Sequence, residues 1–99
     1  MMREVYDVPP SNLSKAQDLL GKDDITSRQS IYTRTAVSIG LKEDKTYLIF
    51  DGSEDSIKIA DNLLNPLATK LQGQAKESIL KKFDDIENAS AAGFGMLGM

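Results

Sequence analysis

Asp51-Gly52-Ser53-Glu54-Asp55 sits where chemistry is often housed, directly after an apolar strand-like run and directly before an amphipathic helical one. A glycine there permits a tight turn, and the start of the helix offers free N–H groups to an anion. Three carboxylates argue against an anion, because they repel phosphate. A divalent cation held by Asp51 and Asp55 would instead make a hydrolytic centre, provided folding brings both into one pocket. A calcium loop needs a longer ligand series closed by a bidentate glutamate. The plainer reading is a turn followed by a helix start, with Ser53 as the cap and Glu54 and Asp55 favoured by the helix dipole. We prefer the plainer reading. The doublets Asp23-Asp24 and Asp84-Asp85 read as solvated surface, since adjacent residues do not converge on one ion. No catalytic residue, metal ligand or cofactor is assigned.

A second constellation mixes cations with rings. Arg28, Arg34, Lys42 and Lys45 lie on or beside a hairpin-like segment, interleaved with Tyr32 and Tyr47. Basic residues and aromatics on one sheet face suit single-stranded nucleic acid, whose bases stack on rings. A small nucleic-acid-binding module is therefore the alternative reading. A tyrosine on a small sheet is more often half-buried packing, and no RNP-like or KH-like glycine pattern accompanies these residues. The formal net charge is −3, and the longest basic run is Lys81-Lys82. That balance excludes a general nucleic-acid coat protein, which needs a basic footprint.

The chain contains no Cys and no His. Thiol nucleophiles, disulfides, Cys/His zinc sites and imidazole acid–base catalysis are all excluded. The lack of Cys fits a reducing cytoplasm. No segment has the roughly 20 apolar residues needed to span a bilayer, and Met1-Met2-Arg3-Glu4 lacks the apolar core of a secretory signal. A cytoplasmic protein with no membrane partner is expected.

The elements that must position these residues follow from periodicity. At 99 residues, 40% hydrophobic and 27% charged, the chain has material for one core. Arg3 to Val8 predicts a short strand stopped by Pro9-Pro10. Ser11 is the expected cap of a helix carrying Leu13, Ala16 and Leu20, with Gly21 ending it. Ser30 to Ile39 alternates with period two, putting Ile31, Thr33, Thr35, Val37 and Ile39 on one face, and predicts the clearest strand. Gly40 to Lys45 links it to a second strand, Thr46 to Phe50, in which Tyr47-Leu48-Ile49-Phe50 is apolar on both faces. Such a strand belongs inside a sheet, or turns its outer face to a partner.

Ile57, Ala60, Leu64, Leu67 and Leu71 form the stripe of the next helix, which Pro66 interrupts. A restart with Asn65 as cap and Pro66 at the first helical position is the preferred outcome. Gly73 is a breaker, and Ala75, Ile79, Leu80, Phe83 and Ile86 mark a last amphipathic helix. The expected core is Ile31, Val37, Leu48, Phe50, Ile57, Leu64, Ile79 and Phe83. The expected organisation is one α+β domain over residues 1–88 and a flexible Gly/Met-rich tail over 89–99. In the domain a small antiparallel sheet, in β-α-β-β-α-α order, carries helices packed on one face.

The segments Leu19-Leu20-Gly21-Lys22-Asp23-Asp24, Lys42-Glu43-Asp44-Lys45-Thr46-Tyr47-Leu48-Ile49-Phe50 and Gly52-Ser53-Glu54-Asp55-Ser56-Ile57 resemble the small Pcc-type subunit of the KEOPS complex, which makes threonylcarbamoyladenosine on tRNA. The match covers about half of the chain, and the second helical segment and the tail depart from it. The resemblance implies a βαββα domain that dimerises and contacts a catalytic subunit without doing chemistry.

The leading expectation is a non-catalytic interaction or dimerisation subunit of a larger cytoplasmic assembly, such as a tRNA-modification complex, in a homo- or hetero-oligomer. Tyr32, Tyr47 and Ile49 on the hairpin, with Phe94, Met96 and Leu97 on the tail, are the expected partner contacts. Mobile Met and Phe side chains adapt readily to a groove.

Overall fold

A computed structural model describes the backbone of residues 2–97 and the side chains of residues 2–88. The expected contacts Phe94, Met96 and Leu97 lie outside the described side chains, and of the segment 89–99 expected as a tail only the backbone to Leu97 is described.

Four strands form one antiparallel sheet: β1 (Met2–Asp7), β2 (Ser30–Thr35), β3 (Thr46–Gly52) and β4 (Thr69–Lys70). Their spatial order is β2-β3-β1-β4, so β3 and β1 are central. Three helices accompany them: α1 (Pro10–Lys22), α2 (Glu54–Leu64) and α3 (Gly73–Leu97). The fold is α+β, as the alternation predicted.

The layering differs from expectation, because helices cover both faces of the sheet. Tyr6, Val8, Leu48 and Phe50 pack with Ala16 and Leu20 of α1 and Ile57, Ala60 and Leu64 of α2. Val5, Tyr47 and Ile49 pack on the opposite face with Ile79 and Phe83 of α3. The reason is visible between α2 and α3. Instead of restarting at Pro66, the chain leaves α2 in a turn where the N–H groups of Leu67 and Ala68 both donate to the Leu64 carbonyl. It then pairs briefly with the outer edge of β1 as β4. Leu67 packs on the α1/α2 face and Leu71 on the α3 face. The chain thus crosses the sheet edge before α3 begins. A two-residue strand carries no periodicity, which is why β4 escaped prediction.

Two other boundaries shift. Strand β2 stops at Thr35, and Val37–Ile39 forms a 3-10 turn. Ser38 causes this locally: its hydroxyl donates to the Thr35 carbonyl and its N–H to the Thr35 hydroxyl, in competition with the ladder. Gly40 closes the turn at φ 87°, a left-handed conformation that side chains disfavour. Ala36 and Ile39 therefore turn inward, whereas Val37 is 71% exposed and not core. Ile31 is partly buried against the α1/α2 layer, and the other six expected core residues are buried. Helix α1 starts two residues earlier than predicted, with Pro9 at the cap position, Pro10 at its first position and no side-chain cap. Gly21 lies inside it, and Asp23 ends it by accepting the N–H groups of Ile25 and Thr26, both at 2.9 Å. Ser53 does cap α2, accepting from the Ser56 N–H at 3.2 Å, with Glu54 and Asp55 in the first turn.

Gly52 is the tightest backbone position. A Cβ there would lie 2.5 Å from Ser56 Oγ, 2.8 Å from Gln29 Oε1 and 2.9 Å from Phe50 Cε1. Around Gly21 there is open space. Gly52→Ala is expected to destabilise the fold by ~1–3 kcal/mol through overpacking. Gly21→Ala is expected to stabilise it by up to ~0.5–1 kcal/mol through helix propensity. Urea unfolding of the two variants checks both signs.

Candidate interaction surface

The hairpin residues expected to meet a partner divide between interior and edge. Tyr47 is 4% exposed and Ile49 fully buried, both beneath α3. This corrects the expectation that they form an outward contact surface. The two-sided apolar pattern of β3 was correctly read, but the chain covers the second face itself. Tyr47 donates its hydroxyl to Glu43 Oε2 at 3.2 Å, and burial, with that acceptor, pushes its pKa up to about 12.

Tyr32 lies on the edge strand and is 37% exposed. Its ring centroid is 5.2 Å from that of Phe83, tilted by 51°. The Arg34 guanidinium lies 5.9 Å from the Tyr32 ring centroid and 5.3 Å from that of Phe83, and it pairs with Glu87 at 2.8 Å. Register explains the grouping: Tyr32 faces Ile49 and Arg34 faces Tyr47, which places all four on the α3 side.

The four cations do not form one surface. Arg28 pairs with Asp24 at 3.2 Å, at the start of β2, and Lys45 pairs with Asp7 at 3.7 Å, beyond its far end. Five residue steps of ladder, roughly 17 Å, separate the Ser30–Asp51 row from the Thr35–Thr46 row. Lys42 is exposed in the link. Arg34 lies against both the Tyr32 and Phe83 rings and is paired with Glu87 of α3. The aromatic platform of the alternative reading is therefore divided: Tyr47 lies beneath α3, and Tyr32 is exposed at the sheet edge.

The carboxylates are dispersed as well. Asp51 belongs to β3 and lies across from Ser30 and Arg3, on the α3 side, whereas Asp55 is exposed on α2, which covers the other face. Asp51 and Asp55 thus do not share the pocket that the rival metal-centre reading requires, and the described residues contain no group of three or more metal-binding side chains. Asp84 receives both fork nitrogens of Arg3 at 2.7 and 3.0 Å, a hydrogen-bonded pair that holds its carboxyl below the usual range. Asp85 pairs with Lys81 at 3.4 Å. Asp23 is lowered by its backbone donors, Thr26 first.

A polar cluster that the sequence did not suggest lies beside β4. Tyr6 donates its hydroxyl to Asp61 Oδ1 at 2.5 Å, and Lys70 reaches Asp61 Oδ2 at 2.9 Å. These three line a recess of about 110 Å³ with Leu64, Asn65 and Ala68. The cluster ties β1, α2 and β4 together and holds no nucleophile set apart for a substrate. Its one sequence clue is Asp61 four residues after Ile57, on the flank of the apolar stripe. Burial, and then the bond to Asp61, raises the Tyr6 pKa.

What remains outward is the edge of β2. The Ala36 N–H donates to the Lys45 carbonyl, so even-numbered residues of the strand bond to β3. By alternation, the N–H and C=O groups of Ile31, Thr33 and Thr35 face away from the sheet. Two outward carbonyls already have side-chain donors, Arg34 Nη1 on Thr33 at 2.7 Å and Ser38 Oγ on Thr35 at 2.7 Å. Tyr32 is exposed on this strand, Ile25 and Val37 are exposed in the segments that precede and follow it at its two ends, and Ile86 is exposed on α3 one turn beyond Phe83. Ile86 leaves α3 on the flank opposite Asp84, which reaches β1. Of the five large apolar residues exposed among the described ones, the fifth, Met2, lies on β1.

Comparison with protein families, with curated proteins and with solved structures returned no match. No helix among the described residues is long and apolar enough to cross a membrane.

The Tyr6 and Tyr47 shifts predict alkaline destabilisation. In the folded protein both hydroxyls titrate above the ordinary tyrosine value of about 10. The stabilising contribution is therefore complete below pH 10 and is lost as pH rises from there through the folded values. Stability should fall above pH 10 with a slope of at most about 1.4 kcal/mol per pH unit for each tyrosine. Tyr6→Phe should lose ~1–3 kcal/mol at neutral pH and show a shallower alkaline decline. Urea midpoints measured from pH 7 to 12 check both.

Proposed function

We propose that this protein is a non-catalytic interaction subunit of a larger cytoplasmic assembly, and that it meets its partner along the exposed edge of β2. The observation that carries the reading is the unpaired edge of β2, whose outward backbone groups are accompanied by the exposed Tyr32 on the strand. Elsewhere the sheet is closed by helices on both faces, and the carboxylates that could do chemistry are separated or tied into ion pairs. An edge strand offers backbone hydrogen bonds for affinity and alternating side chains for selectivity.

The Pcc-type resemblance would place the assembly in tRNA modification; the chain follows the β-α-β-β-α order it implies as far as α2, and β4 and α3 depart from it. Nucleic-acid binding is not favoured, because the four cations lie apart and three of them are paired with carboxylates.

The test is purification of the full chain from its native cell at physiological salt, followed by mass measurement of the intact species. A species heavier than the chain is expected, and the double variant Tyr32→Ala, Ile86→Ser should lose it while retaining its circular dichroism. A chain that emerges alone and monomeric would overturn the proposal.

A further inference from the structure

A recess on the α3 face of the sheet combines apolar walls with an acidic mouth. We infer that it is a binding site for a small free aliphatic amine, whose alkyl chain lies against Leu41, Leu71 and Ile79 and whose ammonium group sits among Asp7, Glu43 and the Tyr47 hydroxyl. The recess measures about 280 Å³, and no residue of β2 lines it, so the site is separate from the interaction edge proposed above.

Local structure and packing keep this space open. Leu41 follows the left-handed Gly40 and is drawn back by its N–H, which donates to the Ala36 carbonyl at 2.9 Å. Leu71 is placed on the same side by its own N–H, which donates to the Val5 carbonyl at 2.8 Å. Both pack, half-buried, against the cluster that contains Tyr47 and Ile79. On α3 the residues that would close the gap are small. Ala75 and Ser78 are three positions apart on one helix face, and both are exposed. An alkyl chain therefore finds apolar surface to bury. The volume lies at the low end for ligand pockets and suits a molecule of a few carbon atoms.

Charge decides the head group. Tyr47 donates its hydroxyl to Glu43 Oε2 at 3.2 Å, and the tyrosine oxygen keeps its lone pairs as acceptors. Burial, the Glu43 bond and then the charges of Glu43 and Asp7 raise the Tyr47 pKa, so both carboxylates stand about one hydroxyl. The charges at the mouth do not balance. Among the described residues lining the recess Lys45 is the one cation, and its Nζ stays 3.7 Å from Asp7 Oδ2, beyond hydrogen-bond length. No lysine or arginine among the described residues pairs with Glu43. A primary ammonium brings one positive charge and three N–H donors, one each for Glu43, Asp7 and the Tyr47 oxygen. A guanidinium is flat and suited to clamping one carboxylate, so it matches three separate acceptors less well. An anion would be repelled.

Titration of the isotope-labelled full chain with pentylammonium at neutral pH, followed by NMR, is expected to shift the signals of Leu41, Tyr47, Leu71 and Ile79 saturably. Pentanol, of the same length without the charge, should bind roughly fivefold more weakly. Glu43→Gln should weaken pentylammonium binding roughly three- to fivefold, the effect of losing a partly exposed charge pair. Lys45→Ala removes the competing cation and should strengthen binding by a similar factor. Ser78→Leu fills the recess from an exposed position and should abolish the shifts with unchanged circular dichroism. Equal affinity for pentanol and pentylammonium, shifts that survive Ser78→Leu, or shifts scattered over the surface overturn the site. So does an affinity left unchanged by Glu43→Gln or by Lys45→Ala. A blocked lysine, N-acetyl-lysine methylamide, separates the sources of the same ammonium group. Tighter binding of it than of pentylammonium overturns the free amine in favour of a lysine side chain on another protein. None of these outcomes bears on the β2 edge, which the intact-mass measurement tests on its own.

Discussion

The structure depends on covering both faces of β3. This strand contributes Leu48 and Phe50 to one apolar layer and Tyr47 and Ile49 to the other, all almost completely removed from water. Each such side chain contributes roughly 1.5–3 kcal/mol when buried. A small domain keeps a net stability of only about 5–15 kcal/mol, so neither face can be left bare. Helices α1 and α2 supply one cover. The second comes from α3, which reaches the opposite face because the chain passes around the edge of β1 as β4. The direction of that crossing makes a hairpin with one helical layer into a sheet between two.

Electrostatics follow this arrangement rather than create it. Arg3–Asp84 and Arg34–Glu87 fasten α3 to β1 and β2 at the margins of its apolar contact, and Lys76–Glu4 does so at the sheet edge. The first two are partly exposed, and pairs of that kind contribute about 0–1 kcal/mol each. Their effect is to orient the helix whose burial supplies the larger energy. The same pairing explains why the acidic doublets do not gather into a site. Asp84 and Asp85 leave α3 in different directions, and Asp23 is turned onto the backbone that follows α1.

Closing both faces leaves the sheet edges, of which β2 is open along its whole length. At the β1 side β4 and the start of α3 cover part of the edge, and the Leu71 N–H donates to the Val5 carbonyl. At the β2 side no strand follows. The two side-chain donors on its outward carbonyls shield the edge without filling it, and apolar residues remain beside it.

Much of the local order was legible from side-chain pattern alone. Alternation in Ile31 to Thr35, the apolar run Tyr47 to Phe50, the Ser53 cap and the stripe Ile57, Ala60 and Leu64 are properties of neighbouring residues, and each became the expected element. Local pattern also gave the correct doubt about β3, whose two apolar faces demanded two covers. Three outcomes needed the third dimension. Val37 continues the alternation but is thrown outward by a turn that Ser38 and Gly40 impose. Tyr6 looks like a surface strand residue until Asp61 and Lys70 arrive from distant segments. Tyr47 and Ile49 could have faced a partner equally well, and only the passage of the chain across the sheet edge made their cover internal. Period and capping are written between residues a few positions apart, whereas the side of a sheet on which a helix lands depends on a crossover whose two-residue strand has no period to read.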